Sequence, residues 1–253
     1  GPTGPTGPAG SNAVQPSFFI IDNASTTNAP STSQFQAVAG RAPIANDVVM
    51  MKNGNAVNSY KYSGSSWSKL GDDIGGEAVY DQSGASVSLS SNGAIVAIGA
   101  YGNDAGGSLA GHVRVYEYSG GSWSQLGSDI DGEAFNDRSG YSVSLSSDGT
   151  IVAIGATNND ANGTDSGHVR VYKWRLYTDA DANVYNYQSR IQDSTNLKPL
   201  IITESITTAP SPGYYYWTQV GFDIDGEEEG DYSGDYSSLS LSSDGTILAI
   251  GGE

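Results

Sequence analysis

The sequence predicts a mainly β protein. Its bulk is a row of four-stranded antiparallel blades of propeller type, set after the end of a collagen-like stalk and a small α+β adaptor. Three observations carry this prediction. The phrase SLSSDGTIVAIGA at 144–156 recurs as SLSSNGAIVAIGA at 88–100 and as SLSSDGTILAIGG at 240–252. Landmarks return every 56 residues, from Trp67 to Trp123, Asp81 to Asp137 and Gly111 to Gly167. The chain opens on GPTGPTGPAG, with Gly at 1, 4, 7 and 10. A period of roughly 40 to 60 residues that holds four short strands marks a propeller blade.

In chain order, residues 1–10 come first. Only Gly fits the crowded axis of a collagen triple helix, and the Pro after each of the first three Gly residues pre-sets the extended backbone. The segment reads as the end of a stalk and implies self-association as a homotrimer; a Pro/Gly-rich linker is the plainer alternative. Residues 11–62 read as the adaptor. PSFFIID (16–22) is a strand. STSQFQAVAG (31–40) has an N-cap in Ser31 or Ser33, Phe35 and Val38 at helical spacing, and a stop at Gly40, which predicts a short helix. DVVMMKNG (47–54) is a strand that ends in an Asn-Gly turn, and AVNSYKY (56–62) returns from it as a blade-like strand, since AVNSYKYSGSSW (56–67) matches HVRVYEYSGGSW (112–123).

Residues 63–253 read as the blades. In the unit from Trp123, YSVSLS (141–146) alternates, with Val143 and Leu145 on one face and Ser142, Ser144 and Ser146 on the other. Asp148-Gly149 predicts a two-residue hairpin turn. TIVAIGA (150–156) is almost continuously apolar, as a strand buried on both faces is. HVRVYKW (168–174) is a third strand, with Val169 and Val171 inward. WSQLGSDI (123–130) is read as the fourth, anchored by its Trp. Trp123 to Trp217 spans 94 residues, 38 more than the period, so an insertion is placed at about 175–213. The blade stretch amounts to about 2.6 repeats, and propellers close with roughly four to eight blades. The chain also opens inside a triplet repeat and stops where earlier copies continue. It therefore reads as a piece of a longer polypeptide with further blades beyond; pooling of blades by three stalk-joined chains is the alternative.

These residues resemble a known family. The order SG-x-SVSLS, AIGA, GHVRVYEY is similar to the FG-GAP repeat, the blade of the integrin-α N-terminal propeller. Ser83-Gly84, Ser139-Gly140 and Ser233-Gly234 stand for its Phe-Gly. Gly99-Ala100 and Gly155-Ala156 stand for its Gly-Ala-Pro, and Gly111 to Tyr116 and Gly167 to Tyr172 for its third strand. The resemblance implies a propeller that serves as a binding scaffold. It does not bring the family's Asp-rich calcium loop, because Asn92, Asp148 and Asp244 stand as single carboxylate or amide groups in tight turns, and calcium takes about six to eight oxygens. The same turn resembles the hairpins of WD-type propellers. The collagen-like start with acidic, Ser/Gly-rich repeats resembles fibre and adhesin proteins of marine phages and other viruses.

Composition narrows the function. The net charge of −17 repels phosphate, so nucleic acid and anionic membranes are poor partners. No apolar run reaches membrane-spanning length, so no membrane insertion is expected. With no Cys, disulfides and thiol chemistry are out. Among the acidic loops, Asp160, Asn162 and Asp165 are the candidate metal ligands, with calcium as the ion; no other cofactor is implied. A turn-forming Asn/Asp/Gly cluster explains the same residues without metal. Asp179, Asp181 and Asn183 match the opening of an EF-hand loop, but Val184 and Arg190 occupy positions that need Gly and Glu. Asp131, Glu133 and Asp137, then Asp225, Glu227 and Asp231, pair carboxylates in a way that could serve glycoside hydrolysis. Their repetition argues against an active site and for solvated loops, with weak calcium bridging as the minor alternative. His112 and His168 could join a Ser-His-Asp triad, but they share one repeat position and read as structural for the same reason; so do Trp67, Trp123 and Trp217 as blade anchors, although a Trp at the rim could stack on sugars. In the insertion, Tyr185, Tyr187 and Arg190 are the ligand-binding candidates; a hairpin packed on the next blade is the alternative. The expectation is a non-enzymatic adhesion or receptor-binding fibre protein, extracellular or on a virion surface, with a cell-surface glycan or protein as partner. A purely structural fibre component is the alternative, and a hydrolase the least supported.

Overall fold

A computed structural model describes residues 18–22, 29–176, 215–235 and 239–252. The described residues form three five-stranded sheets and a two-stranded hairpin, laid face to face in chain order. The second sheet holds β6 (Ser86–Leu89), β7 (Ile95–Ala100), β8 (His112–Ser119), β9 (Ser122–Gln125) and β10 (Ile130–Asp131). The third repeats it with β11 (Ser139–Leu145), β12 (Ile151–Ala156), β13 (His168–Leu176), β14 (Tyr215–Gln219) and β15 (Ile224–Asp225). The hairpin is β16 (Leu239–Leu241) with β17 (Leu248–Ile250).

The first sheet is a variant of the same plan. It joins β1 (Phe18–Asp22), β2 (Val48–Asn53), β3 (Ala56–Tyr62), β4 (Trp67–Lys69) and β5 (Ile74–Gly75). The sheet therefore crosses residue 62. Its β1 runs parallel to β2, and the crossover is α1 (Thr32–Ala39). Of the two cap candidates Ser31 starts the helix, and Ser33 lies within it. Ser31 Oγ accepts from the Gln34 N–H, while the Ser31 N–H donates to Gln34 Oε1, a reciprocal cap. Gly40, at φ 66°, ends it. Phe35 is fully buried with Ile21, Val49, Met51 and Tyr60, whereas Val38 stays exposed.

Three local expectations are corrected. First, the 146–151 hairpin is not a two-residue turn. Ser146 N–H bonds Ile151 O, four residues lie between, and of the two expected turn residues only Gly149 has positive φ (75°). Asp148 organises the loop instead, accepting from Ser146 Oγ at 2.6 Å and from Thr150 N at 3.0 Å. Second, the Asn-Gly turn slides one residue. Asn53 still pairs with Ala56, so Gly54 and Asn55 form the turn. Third, the run WSQLGSDI does not give its own unit a fourth strand. Trp123 pairs with Tyr118 and completes the sheet before it, and the ladder breaks at 126–129 before β10 rejoins β8.

The sheets share their cores. On β12, Val152 and Ile154 pack with Ala97, Val113, Val115 and Ile130 of the second sheet, while Ala153 turns the other way toward Leu239. This is the strand buried on both faces that the apolar run predicted. Trp123 enters the core between first and second sheets, and its indole N–H donates to Ser59 Oγ at 2.9 Å. Trp217 does the same one sheet on, donating to Leu126 O at 2.9 Å, so the Trp anchors join neighbouring sheets.

Serines on and just before the repeated phrase face the next sheet as hydrogen-bond donors and acceptors. Ser86 Oγ donates to Gly140 O at 2.7 Å and Ser142 Oγ to Gly234 O at 2.6 Å. Ser88 Oγ accepts from Leu145 N, and Ser144 Oγ from Leu241 N. Gly99 and Gly140 meet at the same seam, where a Cβ on Gly99 would overlap the Gly140 carbonyl oxygen; Gly155 and Gly234 repeat the contact. The two glycines that end the second strand of one repeat and open the next are thus required by close backbone approach.

Candidate functional site

Strand direction sorts the loops onto two ends. One end carries the turns that follow β6, β11 and β16, together with the Gly120-Gly121 turn between β8 and β9. In the third sheet the corresponding connection lies between Leu176 and Tyr215, which pair. The insertion candidates Tyr185, Tyr187 and Arg190, the EF-like run from Asp179 and the collagen-like residues 1–10 lie outside the described residues. The other end carries the loops 101–111 and 157–167, and the connections 76–85, 132–138 and 226–235 that lead from one sheet to the next.

The calcium candidates sit at that second end. Asp160 Oδ1 accepts from the Asp165 N–H at 2.8 Å. The Asn162 amide donates across the seam to Gly226 O and Glu227 O, and Asp165 Oδ1 accepts from the Asn158 amide at 2.6 Å. The structure brings Asp160 and Asp165 together through backbone and sends Asn162 to the next connection. The paired carboxylates divide into two jobs. Asp81, Asp137 and Asp231 cap their own turns, each accepting from one or two backbone N–H groups three or four residues earlier. Burial pushes the Asp137 carboxyl up. Glu133, Asp131 and Asp225 turn instead toward the histidines.

Two equivalent side-chain clusters result: Glu77, His112 and Asp129, then Glu133, His168 and Asp223. Glu77 to Glu133 and His112 to His168 both keep the 56-residue period. His112 Nδ1 lies 3.6 Å from Asp129 Oδ2, 3.9 Å from Glu77 Oε2 and 4.0 Å from Asp131 Oδ1. His168 Nδ1 lies 3.8 Å from Glu133 Oε2 and 4.0 Å from Asp225 Oδ1. These separations are too long for hydrogen bonds, and no ring nitrogen of either histidine has a hydrogen-bond partner. A Ser-His-Asp triad would need a serine bonded to the imidazole, so its geometry is missing at both places.

Buried arginines complete the clusters. Arg114 Nη2 donates to Gly75 O at 2.6 Å, and Arg170 Nη2 to Asp131 O at 2.8 Å, each across a sheet boundary. Burial pulls the His112 imidazole below its ordinary value, and burial with the Arg170 charge pulls His168 down to about 4. Both rings are therefore neutral near pH 7 and present lone pairs, which suits cation ligation. Burial raises Asp131, Glu133 and Asp225. The sequence reading took the histidines as structural and the carboxylates as solvated, and missed their meeting. The shared period of Glu77/Glu133 and His112/His168 was the available signal.

Residues 129–172, from the start of β10 into β13, match the FG-GAP repeat family. No curated protein matches the chain. FG-GAP repeats occur in extracellular proteins, and no helix among the described residues is long and apolar enough to cross a membrane. The repeat match and the mostly β sheets together support a chain similar to FG-GAP β-propellers, whose repeats generally serve as non-enzymatic binding scaffolds.

Proposed function

We propose that this chain is a non-enzymatic adhesion or receptor-binding protein, acting outside the cell or on a virion surface. Its partner is a cell-surface glycan or protein, and its collagen-like start holds three copies together for multivalent attachment. The single observation that carries the reading is the content of the connecting loops. Val79 and Phe135 occupy the same repeat position and are 76% and 71% exposed, and Tyr80 beside Val79 is 81% exposed. They stand among Glu77, Asp104, Glu133 and Glu227 on the end where rigid sheets present their inter-sheet loops. Exposed apolar tips on a fixed scaffold, ringed by charge, are the composition of a recognition surface.

The test is a glycan array and a cell-binding assay on the full chain, run beside a Tyr80→Ala/Phe135→Ala variant. Binding by the parent that drops at least tenfold in the variant supports the reading. Binding that the variant retains moves the site elsewhere. A parent that binds no glycan or cell favours a purely structural fibre component.

A further inference from the structure

We propose that His112 and His168 each anchor a binding site for a transition-metal dication of the zinc class, and that the ion ties one sheet to the next. This inference stands apart from the adhesion reading. It rests on two buried imidazoles without partners. His112 and His168 are 0% and 1% exposed, and neither nitrogen of either ring makes a hydrogen bond. A buried polar ring in that state calls for a ligand. Around His112, Nδ1 lies 3.6 to 4.0 Å from Asp129, Glu77 and Asp131, and around His168 it lies 3.8 and 4.0 Å from Glu133 and Asp225; the ligand atoms of each triad, Asp223 included, lie within 4.8 Å of one another. Ligands of one tetrahedral zinc, bonded at about 2.1 Å, lie roughly 3.4 Å apart. Small inward movements of the half-exposed glutamate, and of Asp223 in the second cluster, supply the difference.

Charge and chemistry agree. Around His112 stand Glu77, Asp129 and Asp131 against Arg114; around His168 stand Glu133, Asp223 and Asp225 against Arg170. A ligating imidazole is neutral, so three carboxylates and one guanidinium leave two negative charges, which one dication balances. An imidazole nitrogen at the centre selects zinc, cobalt or nickel over calcium, which takes oxygen ligands. The placement is also that of a staple. Glu77 follows β5 of the first sheet, while His112 and Asp129 belong to the second; Glu133 follows β10, while His168 and Asp223 belong to the third. The first sheet has Ala56 at the corresponding position, so two sites are expected among the described residues rather than three.

Equilibrium dialysis of the chelator-stripped full chain against zinc, with bound metal counted by mass spectrometry, tests this. Two equivalents are expected, with a rise in melting temperature. Glu77→Gln and Glu133→Gln should each lose one equivalent, and the double variant both. These glutamates are half-exposed and lie outside the strands, so the amides leave the cores intact, which circular dichroism checks. Cobalt(II) in place of zinc should give visible absorption that the double variant lacks. Absence of retained zinc, or two equivalents retained by the double variant, overturns the sites. Displacement of zinc by equimolar calcium overturns the assigned class of ion.

Discussion

Ile74, Ile130 and Ile224 hold one repeat position, yet they are 5%, 6% and 44% exposed. The residue type and the local strand are the same; the neighbour differs. Ile74 packs with Val96 and Ile98 of the second sheet, and Ile130 with Leu145, Val152 and Ile154 of the third. After β15 the described residues offer the hairpin of β16 and β17. At the opposite end of the row, the outward face of the first sheet is covered by α1 through Phe35 and Trp67, whose rings lie 5.3 Å apart. Each sheet thus shares core residues with the next, as stacked repeats do, and α1 covers the outward face of the first sheet.

Substitutions can break this comparison. Phe35→Ala should have the largest effect, about 3–5 kcal/mol of lost stability, because it empties the core under α1. Ile130→Ala should cost about 2–5 kcal/mol, whereas Ile224→Ala should stay near 0.5 kcal/mol. Urea denaturation of the three variants reads the differences, and equal costs for Ile130 and Ile224 would show that the neighbouring sheet is not what buries this position.

A smaller effect sharpens the role of the serines. Ser142 is buried and its hydroxyl reaches across the seam to Gly234 O. Ser142→Ala removes that donor and should cost about 1 kcal/mol. Ser31→Ala, which removes the cap of α1, should cost about as much. Hydrogen exchange tells them apart, since Ser142→Ala should loosen β11 and β16 and leave α1 protected.

The smallest effect is electrostatic. The Ser146 hydroxyl bond holds the Asp148 carboxyl below its ordinary value, and Ser242 with Thr246 holds Asp244 at about 2. A carboxyl whose folded value is depressed favours folding above its unfolded value, and the contribution fades as pH falls through the folded one. Carbon-detected NMR titration should place both midpoints below those of Asp residues in an unfolded peptide. Ser146→Ala should return Asp148 upward and leave Asp244 where it is.

Much was legible in the residues themselves. The helix with a serine cap at Ser31 or Ser33, the hairpins around the Ser-Ser-Asn-Gly and Ser-Ser-Asp-Gly turns, and the doubly buried AIGA strand follow from patterns that act within a few residues. What tertiary structure alone decided spans longer separations. Ser142 meets Gly234 from 92 residues away, and Ser86 meets Gly140 from 54. Likewise Trp123 completes the sheet that precedes it, and Glu77 arrives beside His112 from the sheet before. Alternation says which face a side chain takes, and a turn residue says where the chain reverses. Neither says which sheet lies opposite, because that choice belongs to the packing of whole faces, where buried area, backbone approach and paired donors are settled together.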